Sequence, residues 1–155
     1  MISRGKQFED KFKADFLKLE GVSLDRLFDP VGGYVGIKNI CDFIAYKYPN
    51  IFYIECKSCN DNTWNFANYS QYEKQLFKVG IKGVRVGVVL WMIKHDTVVY
   101  LPTKTIQQMK ADNKKSFNIK DLQKDTYRII TIPSIKKRVF LDSDYSVLFD
   151  LQEGD

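Results

Sequence analysis

Two acids and a lysine, Asp42, Glu55 and Lys57, sit inside or at the edges of what reads as a buried sheet in the apolar and aromatic-rich stretch "CDFIAYKYPNIFYIECKS" at residues 41–58. Charges are seldom buried unless they are paired or hold a metal ion. Two carboxylates converging at one end of a sheet suit a hard divalent cation such as Mg2+, which takes one or two carboxylates and keeps several waters. Such an ion lowers the pKa of its water and stabilises charge on a phosphate. A lysine beside it can contact that phosphate or orient the water. The alternative is a Glu55–Lys57 ion pair with a purely structural purpose at a strand end. Spacing alone does not choose between them, because acid-x-Lys recurs at Glu9–Lys11 and Asp112–Lys114. Those two copies fall in an amphipathic helix and a charged loop; only "IECK" lies in an apolar strand with a second acid brought to meet it.

The elements that must position these residues are legible from periodicity. Phe8, Phe12 and Phe16 recur every fourth residue, with Leu19 closing the stripe before Gly21, so the chain opens with a helix that carries Glu9 at the edge of its buried face. Residues 21–39, rich in Gly and Pro, read as a loop with at most a short strand. "CDFIAY", the turn "KYPN" and "IFYIECKS" form an antiparallel hairpin. That hairpin brings Asp42, at the start of one strand, to Glu55, near the close of the other. Side chains alternate along a strand, so Glu55 and Lys57 share one face while Cys56 joins Ile54 and Phe52 on the other, a core assignment.

"SQYEKQLFKVG" predicts a helix with a Ser70–Glu73 capping box, ended by Gly80 or Gly83, burying Tyr72, Leu76 and Val79. On its wheel Gln75 and Gln71 flank the buried face. "VRVGVVLWMI" predicts a central strand, and the turn "KHDT" leads from it to "VVYLP". A helix at "KTIQQMKA", a short helix at "NIKDLQK" and strands at "YRIITI" and "RVFL" complete a mixed sheet flanked by helices, an α/β or α+β core.

The chain of 155 residues, 45% hydrophobic, suits one domain spanning 1–155. It has no run approaching the ~20 apolar residues of a membrane span. Its first residues lack a secretory signal, and three cysteines make a sparse, odd set. A cytoplasmic, reducing setting is the expectation. The net charge of +5 is unevenly spread: residues 104–138 carry 10 basic and 3 acidic residues, whereas residues 139–155 carry five acids and no Lys or Arg. A basic block suits a phosphate-facing surface, and a solvated face explains it equally well. Cys56-x-x-Cys59 lacks the further ligands of a zinc site. His95 falls in a turn. Tyr34, Tyr69 and Trp64 either stack on exposed bases or pack in the ordinary way, and packing is the stronger reading.

In order along the chain, "RGKQFE", Asp42, "ECK", "YEKQL", "VGVVLW" and "KKSFNIKDL…YRI" resemble the PD-(D/E)xK nuclease superfamily. Within it they resemble RecU-type Holliday junction resolvases of Firmicutes and their phages, in a short, phage-like form. The resemblance implies a restriction-endonuclease-like α/β fold, a mixed β-sheet flanked by helices. It implies a Mg2+-dependent endodeoxyribonuclease, with Mn2+ substituting, that resolves four-way junctions by paired symmetric nicks as a homodimer. Asp42 and Glu55 would be metal ligands with the Cys56 main-chain carbonyl, and Lys57 the catalytic lysine. Glu9 would be the helix acid that joins the site, and Gln75 the glutamine from the flanking helix, with Gln71 second choice. Arg4, Lys6, Arg26, Lys38 and Gln71 are the candidate DNA contacts, and Lys136, Lys137 and Arg138 come next. The superfamily's proline is absent before Asp42, and residues 21–39 are shorter than the stalk of RecU-type proteins, which bears on junction specificity. A repair- or restriction-type nuclease acting on duplex, or a catalytically idle basic DNA-binding module, are the other readings.

Overall fold

The computed structural model describes residues 3–28 and 39–155. Helix α1 (Arg4–Phe16) starts where the Ser3 side chain accepts from the Lys6 amide at 3.2 Å, satisfying one of the amides that a helix start leaves without a partner. Its stripe Phe8, Phe12 and Phe16 is buried. Asp15 on the same helix is also buried, held by Lys11 at 2.6 Å and by the Ser143 amide at 3.0 Å. That pairing anchors the helix to the C-terminal part of the chain.

The strands are β1 (Val22–Arg26), β2 (Phe43–Lys47), β3 (Asn50–Cys59), β4 (Thr63–Asn65), β5 (Val84–Met92), β6 (Thr97–Pro102), β7 (Ser116–Asn118), β8 (Ile130–Ile132), β9 (Ser134–Lys136) and β10 (Leu141–Ser143). Helix α2 (Tyr72–Leu76) lies between β4 and β5, and α3 (Thr103–Ala111) follows β6. Six strands form one sheet in the order β1-β2-β3-β5-β6-β8, antiparallel throughout except for the parallel pair β3 and β5. The fold is α/β with a mixed sheet flanked by helices, as the resemblance implies. α1 packs on the face bearing Phe43, Phe52, Ile54 and Cys56. Tyr72 of α2 and Ile106 and Met109 of α3 cover the opposite face over β5 and β6. Strand β5 is inside the sheet and apolar throughout its second half, as a strand buried on both faces must be. Gly87 is required there: a Cβ would stand 2.6 Å from the Leu101 carbonyl oxygen and 2.7 Å from the Tyr100 ring.

Several local expectations change. Val22–Arg26 is a full edge strand paired residue for residue with β2, with half-buried Val22, Leu24 and Arg26 alternating with exposed Ser23 and Asp25. The helix expected over residues 70–80 shrinks to Tyr72–Leu76. Its capping box does not form: Ser70 Oγ donates to Gln71 Oε1 at 2.9 Å instead, and Val79 is only half-buried. A capping box does form at Asn118–Asp121, opening the short 3-10 helix Ile119–Gln123. "YRIITI" is reduced to Ile130–Ile132, and "RVFL" is turn until Leu141. Trp64 and Tyr69 are 2% and 3% exposed, so they pack in the core and offer no stacking surface, while Tyr34 lies outside the described residues.

Half of the basic block is answered by acids within the molecule. Lys114 and Lys124 pair with Asp121, Arg128 with Asp155, Lys136 with Asp96 and Lys137 with Asp142. Among the described residues no helix is long and apolar enough to cross a membrane.

Candidate active site

Asp42 sits one residue before β2, where the ladder with β3 ends. Its amide donates to the Ile54 carbonyl at 3.1 Å, and its own carbonyl accepts from the Leu27 amide at 2.8 Å. The main chain is thereby held between β1 and β3. Its carboxylate Oδ2 accepts from the Cys56 amide at 2.8 Å. A strand residue directs its N–H and C=O to the same neighbour, so the Cys56 carbonyl also faces the Asp42 side, past the last rung of the ladder.

Glu55 stands on the face opposite Cys56 and is 2% exposed. Lys57, two residues on, places Nζ 3.7 Å from Glu55 Oε1. No N–H or hydroxyl donor among the described residues reaches the buried Glu55 Oε2. The Asp42 carboxyl is its hydrogen-bonding neighbour, and two carboxyls can share a hydrogen bond only if one carries a proton. Burial first, then the Asp42 charge, therefore pushes the Glu55 carboxyl up to about 9, against the pull of Lys57. Glu9 on α1 meets the same Asp42. Its carboxyl is pushed up to about 7 by burial and Asp42, and Arg26 opposes the rise. Three acids thus crowd one point with too little positive charge around them.

Arg26 of β1 is turned inward: it lies 2.6 Å from Asp10 and 3.7 Å from Glu9, over the Phe43 ring. Gln75 of α2 is not at the edge of the core but fully buried. Its Nε2 donates to the Ile40 carbonyl at 2.6 Å, and its Oε1 accepts from the Tyr69 hydroxyl. Gln71 is half-buried at the start of α2. Arg4 and Lys6 are exposed on the helix that carries Glu9, Arg4 bonded to Gln7 and lying over Phe140. Lys38 lies outside the described residues.

The structure therefore brings Glu9, Asp42, Glu55, Cys56 and Lys57 together, and holds Gln75 behind them. Tyr69 and Arg26 belong to the neighbourhood in ways spacing does not announce. Tyr69 reads as one aromatic among many, and Arg26 falls in a Gly- and Pro-rich segment that reads as a loop with at most a short strand. Cys56 and Cys59 point to opposite faces and join different cores, which removes them as a chelating pair. His95 is bonded to Asn62 at 2.7 Å in its turn.

Among the described residues no group of three or more His, Cys, Asp or Glu side chains is arranged to hold a metal ion. The set that remains for a hard cation is two carboxylates, Asp42 and Glu55, with the Cys56 carbonyl. Mg2+ accepts such a set, completing its shell with water. The donor-less Glu55 oxygen fits the same purpose.

No protein-family model and no curated protein matches the chain. Among solved structures it is similar to Archaeoglobus fulgidus Hjc, a Holliday junction resolvase from an archaeal hyperthermophile. The TM-score is 0.49 and the identity 17%, over 65% of this chain and 78% of that one.

Proposed function

We propose that the protein is a metal-dependent endodeoxyribonuclease that cuts four-way DNA junctions, working with Mg2+ and also with Mn2+. The observation that carries the reading is Glu55: a buried carboxylate with one donor-less oxygen, packed against a second acid and beside a lysine. Asp42, Glu55 and the Cys56 carbonyl would hold the cation, which supplies an acidified water and neutralises charge at the phosphate. Lys57 stands at the Glu55 carboxylate, where its ammonium meets a phosphate oxygen or orients the attacking water. Glu9 positions water on the opposite side of Asp42, and its carboxyl is kept in check by Arg26. Arg4, Lys6, Lys38 and Gln71 are proposed to contact phosphates. Arg26, engaged with Glu9 and Asp10, acts on the acids and not on DNA. Resolution needs two nicks in opposing strands, so a two-fold homodimer is the proposed assembly.

A nuclease that acts on duplex DNA is the second reading. Strand β1 takes up Val22–Arg26, which shortens still further the stretch left for a junction-engaging stalk. Labelled four-way junction and matched linear duplex, incubated with Mg2+, Mn2+ or EDTA, separate the cases. Paired metal-dependent nicks in the junction alone support the resolvase. Equal cutting of duplex moves the assignment to a general nuclease, and binding without cutting in either metal identifies an idle DNA-binding module.

A further inference from the structure

A buried chain of hydrogen bonds ends two residues before Asp42, and its direction follows from counting donors. The Ile40 carbonyl oxygen can only accept, so the group 2.6 Å from it must be the Gln75 amide nitrogen. Gln75 therefore presents Oε1 to Tyr69, whose hydroxyl must donate. Having given its one proton, Tyr69 must accept from Thr103 Oγ1, 2.9 Å away. The order is Thr103 to Tyr69 to Gln75 to Ile40.

The three side chains are 0%, 3% and 0% exposed. They come from three elements: the first residue of α3, the residue closing the 3-10 turn Phe66–Asn68, and α2. Ile40 lies outside β2, whose pairing with β3 begins at Phe43. The chain of bonds thus grips the approach to Asp42 from the opposite side of the sheet to Glu9.

We propose that Tyr69 is a positioning residue for the acid site: through Gln75 it fixes the Ile40 carbonyl, and with it the place where Asp42 meets the Cys56 amide and Glu55. The chemical consequence rests on the nuclease reading; the placement of Asp42 does not. Partners behind metal ligands set ligand orientation, and losing one commonly weakens metal binding by about 10- to 100-fold.

The test uses Tyr69→Phe, which keeps the ring packed between Trp64 and Tyr72 and deletes only the hydroxyl. Gln75→Leu is the second variant, because a side chain of similar size has no hydrogen to give Ile40. Amide exchange is read in EDTA at Cys56, with Val89 and Leu90 of β5 as controls for global stability, and Mn2+ binding is read by calorimetry. Both variants are expected to speed exchange at Cys56 but not at the controls, and to weaken Mn2+ binding about tenfold or more. Thr103→Ser, which keeps the donor, should behave as wild type, and Thr103→Val, which leaves the Tyr69 hydroxyl donating to Gln75, should loosen Cys56 less than Tyr69→Phe does.

Unchanged exchange at Cys56 in Tyr69→Phe would overturn the positioning role while leaving the nuclease reading intact. Loosened Cys56 with unchanged Mn2+ affinity would show that the placement does not matter to the site. A wild-type protein that binds no Mn2+, with Cys56 still loosened in the variant, would sink the nuclease reading and keep the positioning of Asp42.

Discussion

Replacing Glu55 with glutamine should make the protein more stable and inactive at once. In the folded, metal-free protein the Glu55 carboxyl is pushed from its ordinary 4.5 up to about 9 by burial and by Asp42. The unfolded chain releases this proton near pH 4.5, whereas the folded chain keeps it until about pH 9. The unfolded state therefore binds fewer protons across that window, and stability falls as pH rises through it. At about pH 7.5, roughly three units above the unfolded value, the ceiling on this loss is about 4 kcal/mol at 1.36 kcal/mol per unit. Glu9 and Glu55, both raised beside Asp42, share the effect, so a working range is about 2 to 4 kcal/mol.

Glutamine has the same shape, loses no proton, and can donate to Asp42, so Glu55→Gln should remove the penalty. For a chain of this size that is a rise of roughly 5 to 15 °C in Tm. Thermal unfolding in EDTA between about pH 5 and pH 9 reads it directly: a wild-type Tm that declines with pH, and a flatter, higher curve for the variant. Added Mg2+ should raise the wild-type Tm, because binding to the folded state alone stabilises it. It should leave the variant unmoved and unable to cut. A variant no more stable than wild type in EDTA at neutral pH would refute the account of Glu55 as a carboxyl that burial and Asp42 keep from ionising.

Lys57→Ala should abolish cutting while junction binding stays within a few-fold. Gel shift beside a cleavage assay decides it, and retained cutting would remove Lys57 from the chemistry. Arg26→Gln takes away the cation that holds the Glu9 carboxyl down, so the acid limb of the cleavage pH profile should move to higher pH. An unmoved limb would mean that Glu9 does not titrate in the reaction. Gly87→Ala must push a methyl against the Leu101 carbonyl and the Tyr100 ring, at a cost of about 1–3 kcal/mol or more. Denaturant unfolding should show the loss, and an unchanged midpoint would contradict the packing of β5 on β6.

What the sequence determined by itself is what repeats locally. A four-residue recurrence of phenylalanine makes α1 and tells which side it buries. A two-residue alternation through "IFYIECKS" puts Glu55 with Lys57 and Cys56 against the core, because the backbone imposes that alternation whatever the neighbours are. A hairpin turn brings Asp42 to Glu55, since the two strands are joined by only a few residues.

The tertiary structure decided what depends on partners distant in the chain. Val22–Arg26 is a strand because β2 is there to pair with it. Gln75 is fully buried because the Ile40 carbonyl accepts from its amide and the Tyr69 hydroxyl donates to it, whereas the wheel of an isolated helix places it at an edge. Arg26 faces Glu9 and Asp10 because α1 packs on the sheet face to which Arg26 is turned. Half of the basic block is paired because Asp96, Asp142 and Asp155 meet it from outside and Asp121 from within. Periodicity reports which face a side chain occupies; only the packed chain reports what stands opposite it, and hydrogen bonds and carboxyl protons answer to that second fact.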